Sequence, residues 1–255
     1  MSPRAARDLV ELLLPGGCVS CGAWIPRREP RDLVCPGCRS RLVEAPWPRC
    51  PRCHHPRGTG REESDRCLHC NPWPDELVAA RWAHPLRPPA SALVHGLKYD
   101  GWRGLSGFMA ARMCRPAEAL LALLGRGRRV VVVPVPTTEA RIRARGYDQA
   151  ALLADELAAR IGAPAVGALR RVGGGMSQTA LAPDARRENV RGVFRATSGG
   201  CVAGAVVILV DDVLTTGATA SEAAGALGSV GASAVGVVTF ARALPELASG
   251  RAAAA

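Results

Sequence analysis

Lysine is all but missing from this 255-residue chain. Of its 33 basic residues, 32 are arginine and one, Lys98, is lysine. Aromatic residues are scarce as well, at 4%, which weakens a reading as an extended base-stacking platform. No Ser–His or Cys–His constellation asks for a dedicated nucleophile, and the Gly-Lys of a Walker A loop is absent. Arg4, Arg7, Asp8 and Glu11 interrupt the short apolar run at the N-terminus. That speaks against a secretory signal and for a surface helix over residues 1–17. The longest uncharged stretch, Ala223 to Ala241, is rich in alanine and glycine. It divides into a helix end, a glycine turn and a strand, so no membrane span is expected. A cytoplasmic protein is the expectation.

What is present suits one medium domain plus a small one, with 48% hydrophobic residues to build a core. The net charge of +11 fits polyanionic partners, phosphate-bearing substrate or nucleic acid. It fits a merely basic surface equally well.

Eight of the ten cysteines form four C-x2-C pairs: Cys18 and Cys21, Cys35 and Cys38, Cys50 and Cys53, Cys67 and Cys70. Adding 32 to the first four positions gives the last four, so residues 18–75 contain a tandem duplication of C-x2-C-x13-C-x2-C. Without a signal peptide, dense cysteine points to metal rather than disulfides. Two C-x2-C turns close a tetrahedral S4 shell, the preferred structural zinc geometry, with iron–sulfur ligation as the lesser alternative. A zinc-ribbon module with two structural Zn2+ sites is expected, its knuckles paired in sequence or crossed. Each unit is too short to bury a core, so metal supplies its folding energy. Two tetrathiolate centres at −2 each take the charge from +11 to about +7. His54, His55 and His69 beside the ligands are bystanders. The knuckle arginines either grip a phosphate backbone or offset thiolate charge. Cys114 and Cys201 stand outside the pattern in apolar surroundings, which suggests burial.

Prolines crowd residues 71–89 and mark a boundary there. Beyond it, over residues 88–242, continuous apolar strands alternate with helices. "VVVVPV", "AVGALRRV", "VRGVFRAT", "AVVILV" and "AVGVVTF" read as strands. Helical spacing covers 90–101, 104–113, 147–162 and 218–231, with Ala150, Leu153, Ala154 and Leu157 on one apolar face. That is the α/β pattern of a parallel sheet covered on both faces. Ligands in such folds sit beyond the carboxyl ends of the strands. The tail, 243–255, has the composition of a disordered segment.

At one such end stands "VVILVDDVLTTGATA", residues 206–220. A helix N-terminus after the turn offers free N–H groups for a phosphate. Gly217 permits close approach, and Thr215, Thr216 and Thr219 add hydroxyls. Asp211 and Asp212 either accept hydrogen bonds from a sugar diol or hold hydrated Mg2+. Together they describe a ribose 5-phosphate seat formed by Asp211, Asp212, Thr215, Thr216, Gly217, Ala218 and Thr219.

The stretch resembles the motif that binds phosphoribosyl pyrophosphate (PRPP) in type I phosphoribosyltransferases. Taken with the cysteine ribbons, "LVHGLKYDG", "VPVPTTEARIRARGYDQAALLA" and "MSQTALAPDARRENVRGVF", it makes the chain similar to the ComF family of competence proteins from Leu12 to Phe240. Asp148 stands where that family usually has Asn, and many members carry one four-cysteine site rather than two. The resemblance implies a type I phosphoribosyltransferase fold and Mg2+-dependent displacement of pyrophosphate at the ribose anomeric carbon. It places Pro134 to Ala140 as a pyrophosphate loop, with Arg145 facing the diphosphate and Arg143 and Gly146 nearby. It places residues 173–190 as a mobile loop, with Arg186 and Arg187 neutralising the leaving group and Gln178 and Asn189 tying the loop down. Lys98 is expected near the pyrophosphate and Tyr99 in packing. A role in DNA uptake follows, with single-stranded DNA and competence-machinery proteins as partners. The alternative is a non-enzymatic DNA-handling protein that uses PRPP as a regulatory ligand. The acceptor is unreadable.

Overall fold

The computed structural model describes residues 16–25, 33–44, 46–57, 67–125, 127–172, 192–197 and 200–244. The expected helix over 1–17 (apart from Gly16 and Gly17), the tail beyond Leu244 and the loop 173–190 lie outside the described residues. With that loop go the expectations for Gln178, Arg186, Arg187 and Asn189.

Four parallel strands form the centre. β1 (Leu77–Pro85), β2 (Val130–Pro134), β5 (Val206–Leu214) and β6 (Ala234–Arg242) lie in the order β1-β6-β5-β2. Val132, Ile208 and Gly236 are aligned across β2, β5 and β6. Valine dominates these strands because β-branched side chains fit a pleated surface covered on both sides. β5 is buried along Val206–Val210, which explains its uninterrupted apolar run.

Helices α2 (Ala90–Tyr99), α3 (Leu105–Leu124) and α5 (Gln149–Ile161) cover one face, and α6 (Ala218–Gly228) covers the other. Asp148 caps α5, its Oδ1 accepting from Ala150 N at 2.8 Å and Ala151 N at 3.3 Å, and Gly162 ends the helix in the left-handed region. Ala150, Leu153, Ala154 and Leu157 are all fully buried, as their spacing predicts.

Two elements differ from the sequence reading. Residues 77–85, in the proline-marked boundary, form the edge strand β1. Its prolines fall at the ends or outside, where they cost no ladder hydrogen bond. Of "AVGALRRV", Ala165 alone bridges the sheet, at Val132. β3 (Leu169–Arg171) instead pairs antiparallel with β4 (Phe194–Ala196) in a separate ribbon.

The two cysteine units, although duplicated in sequence, pack on opposite faces of the sheet. Cys18, Ile25, Val34 and Cys38 join the core of α2, α3 and α5. Cys50, Cys53, Cys70 and Trp73 join the core under α6. The short helix α1 (Pro36–Ser40) carries the Cys35–Cys38 turn.

Candidate functional site

A cleft of about 490 Å3 opens at the carboxyl ends of β2 and β5. Asp211 and Asp212 lie within β5, two to three residues before its end, and alternate in direction as strand neighbours must. Both line the cleft. Asp212 is 2% exposed, and its Oδ2 lies 2.5 Å from Lys98 Nζ, delivered by the last turn of α2. Burial alone would raise the Asp212 pKa, but Lys98 beside it holds the carboxyl below its ordinary value. Among the described residues, Asp211 has no such cation in contact. Burial and the neighbouring Asp212 charge push its pKa well above the ordinary value. The pair therefore holds a proton more readily at Asp211, while Asp212 stays ionised beside Lys98. A cation or hydroxyl donors placed at Asp211 would favour its ionised form.

Arginines face the acids. Arg145, in the last turn of α4 (Glu139–Arg145), hydrogen-bonds Gln149 and lies over the Tyr99 ring at 5.5 Å. Arg141 and Arg171 line the cleft as well. The sequence reading missed both, since nothing distinguishes them among the other arginines. Arg143 turns away and pairs with Glu139 at 3.4 Å on the exposed side of α4. Tyr99, expected in packing, is 64% exposed at the cleft rim, because α2 ends there. Cys114 and Cys201 are half-buried rather than buried.

The loop after β2 is held by Asp148, whose Oδ2 accepts from Thr137 N at 3.3 Å. One carboxylate thus serves the start of α5 and the loop together. The turn after β5 ends on Gly217, the N-cap of α6, at φ +85°. Thr215 and Thr219 line the acid-bearing cleft. Thr216 and Ala218 face a larger cleft of about 590 Å3, bordered by Trp73 and Phe194, which contains neither acid.

The cysteines cluster in sequence order: Cys18, Cys21, Cys35 and Cys38 in one group, Cys50, Cys53, Cys67 and Cys70 in the other. Within each group the sulfurs lie within 4.8 Å of one another. Cys21–Cys35 and Cys53–Cys67 are separated by 3.7 Å and Cys50–Cys70 by 3.8 Å. A tetrahedral shell with zinc–sulfur bonds of about 2.3 Å has edges of about 3.8 Å. The donor set therefore fits such an ion, and each tetrad could hold one. Cys35 N and Cys38 N point at the sulfurs of Cys18 and Cys35, and Arg41 Nη2 reaches Cys38 Sγ at 3.0 Å. These donors support thiolate charge.

Residues 147–249 match the family model of the phosphoribosyl transferase domain. Over 240 residues, covering 91% of this chain and 100% of the relative, the chain is 32% identical to the DNA utilization protein YhgH of Salmonella typhi. It is 26% identical over 216 residues to competence protein F of Haemophilus influenzae, covering 84% of this chain and 92% of that one. A glutamine PRPP amidotransferase structure from B. subtilis is 23% identical over 57% of this chain and 26% of its own, with a TM-score of 0.33. Among the described residues no helix is long and apolar enough to cross a membrane.

Proposed function

The chain belongs to the ComF family, and from that premise we propose that it binds PRPP with Mg2+ at the carboxyl end of its sheet, as a phosphoribosyltransferase-type protein of DNA uptake. The observation that carries this reading is the juxtaposition of Asp211 and Asp212 with Lys98 and three arginines in one cleft, directly before the Gly217 turn. The N-terminus of α6, with the hydroxyls of Thr215 and Thr219, takes the sugar's 5-phosphate. Asp211 and Asp212 accept hydrogen bonds from the ribose hydroxyls. Asp211 and Asp212 would also hold Mg2+, which would supply charge neutralisation for the leaving group. Arg145, Arg141 and Lys98 stabilise the same developing charge. Arg186 and Arg187 are assigned that task in the loop 173–190. The chemistry proposed is displacement at the anomeric carbon, with pyrophosphate leaving and preorganised cations lowering the barrier.

We assign Zn2+ to both tetrads, as structural ions with closed shells.

Calorimetric titration with PRPP and Mg2+ tests the seat. The Asp211→Asn, Asp212→Asn double variant should lose binding while its zinc content stays unchanged. Equal affinity in variant and wild type would refute the assignment.

One observation favours a second reading, in which the protein handles single-stranded DNA and PRPP acts as a regulatory ligand. A groove of about 430 Å3 runs between the Leu42–Arg49 linker, β1 and α3, and includes Trp47, Arg112 and Arg115. Trp47 is 70% exposed, with the Arg49 guanidinium 4.6 Å above its ring. An exposed indole beside arginines suits a base stacked next to its phosphates.

A further inference from the structure

We infer that the second cysteine tetrad positions the Thr215–Thr219 turn, and that Trp73 is the residue through which it does so. Trp73 follows the last cysteine of that tetrad by three residues, and its N–H donates to Cys70 O at 3.1 Å. The indole then crosses to the turn after β5. Its Nε1 donates to Thr216 O at 3.0 Å. Its ring fills the space a side chain would occupy at Gly217: a Cβ there would lie 2.4 Å from Trp73 Nε1. The contact spans 143 residues of sequence, and Trp73 is 5% exposed.

Nothing in the Cys70–Leu77 segment is helical or sheeted before β1 begins, so its own backbone does not fix the indole. Arg52, inside the Cys50–Cys53 turn, does. Its guanidinium donates to Cys70 O at 3.2 Å, Pro74 O at 2.8 Å and Leu77 O at 2.9 Å. The Cys50–Cys53 turn is in turn bound to the sheet, where the buried Arg242 at the end of β6 donates to Cys53 O at 2.9 Å. Bridging the two C-x2-C turns therefore holds Arg52 against the carbonyls that orient Trp73. Separating them releases both.

The first tetrad makes a different contact. Val19, between Cys18 and Cys21, packs where Gly96 of α2 lacks a side chain, 2.8 Å from the position of a Cβ. Its loss acts on α2 and Lys98, not on the turn. The two tetrads thus brace separate walls of one cleft.

The coupling is independent of any ligand. Its consequence for affinity rests on the PRPP reading above. Hydrogen exchange read by mass spectrometry on the full-length protein tests it, comparing peptides over 210–222 and 90–99, with zinc counted per chain. In Trp73→Ala we expect wild-type zinc content, at least tenfold faster exchange over 216–221, and at least tenfold weaker PRPP–Mg2+ binding. Trp73→Phe, which keeps a ring over Gly217, should restore most of the protection. Cys67→Ser should lose one zinc and reproduce the fast exchange over 216–221. Cys21→Ser should lose one zinc and speed exchange over 90–99 while leaving 216–221 protected. Unchanged protection of 216–221 in Trp73→Ala or Cys67→Ser overturns the inference, as does equal loosening of the turn by Cys21→Ser. If wild type binds no PRPP while Trp73→Ala still loosens the turn, the ligand reading fails and the coupling stands.

Discussion

Lys98 and Asp212 form a nearly buried ion pair of 2.5 Å between the end of α2 and the central strand. In a chain that otherwise uses arginine, this position has a compact point charge on a flexible stem instead of a planar, forked guanidinium. Removing one partner leaves a buried charge. Lys98→Met should therefore destabilise the protein by about 3 kcal/mol, the low end for a broken buried pair, because Lys98 keeps 24% of its side-chain surface. Chemical denaturation measures this. Lys98→Arg should recover only part of the loss.

The two acids should respond to neutralisation with opposite signs. Asp212 has its pKa lowered in the folded protein. It contributes stability above its unfolded value of 3.8, and that contribution is lost as pH falls through the lowered folded value. Asp211 has its pKa raised. Its ionisation costs stability, and the cost grows as pH rises from the unfolded value through the folded one. In the ligand-free protein at pH 7, Asp211→Asn should raise the melting temperature and Asp212→Asn should lower it. A shift of the same sign in both would contradict the charge assignment.

The same raised pKa predicts how binding depends on pH. An ionised carboxylate accepts on both oxygens and attracts a cation, whereas the protonated acid loses its charge and turns one oxygen into a donor. PRPP–Mg2+ affinity should fall as pH is lowered through the raised Asp211 value. The Lys98-paired Asp212 stays ionised over that range. Titration at a series of pH values should show the decline in wild type and none in Asp211→Asn, whose affinity is low throughout.

Gly217 carries two separate demands. Its φ of +85° costs an L-residue about 1–2 kcal/mol, and the Trp73 indole leaves no room for a methyl group. Gly217→Ala should destabilise the protein by more than the backbone cost alone. In a Trp73→Ala background the same substitution should cost only the backbone part. A double-mutant cycle in denaturant reads the difference.

Much of this site can be read from sequence. The run "VVILVDD" needs no tertiary information, because a strand covered on both faces has one apolar pattern and its two acids break it at a strand end. The Cys spacing is equally local: adding 32 maps one tetrad onto the other. What stayed hidden depends on long-range contact. β1 reads "LVAARWAHP" between prolines, and its strand identity comes from pairing with β6 across about 157 residues of chain. Arg141 and Arg171 enter the cleft only because α4 and the β3–β4 ribbon converge on it. Trp73 carries no local signal, since its partner Thr216 lies 143 residues away. The packing of duplicated tetrads on opposite faces is likewise invisible to a repeat, which fixes each unit but not where it docks.

The arginine groove beside β1 separates surface charge from nucleic-acid contact. Glu44 is the one acid among its lining residues and pairs with Arg115 at 2.7 Å, so an incoming phosphate has to compete with it. Arg115 is 83% exposed on its side chain and Arg112 half-buried beside it, which leaves both reachable by a strand lying over Trp47. If single-stranded DNA lies there, Arg112→Ala and Arg115→Ala should each weaken binding at all sequences and reduce the slope of log affinity against log salt by about 0.7. Trp47→Ala should weaken binding by about 1–3 kcal/mol without changing that slope, because stacking releases no counterion. Fluorescence anisotropy with an oligonucleotide across a salt series measures both quantities. Loss of slope in Trp47→Ala, or an unchanged slope in both arginine variants, would place the DNA elsewhere on the molecule.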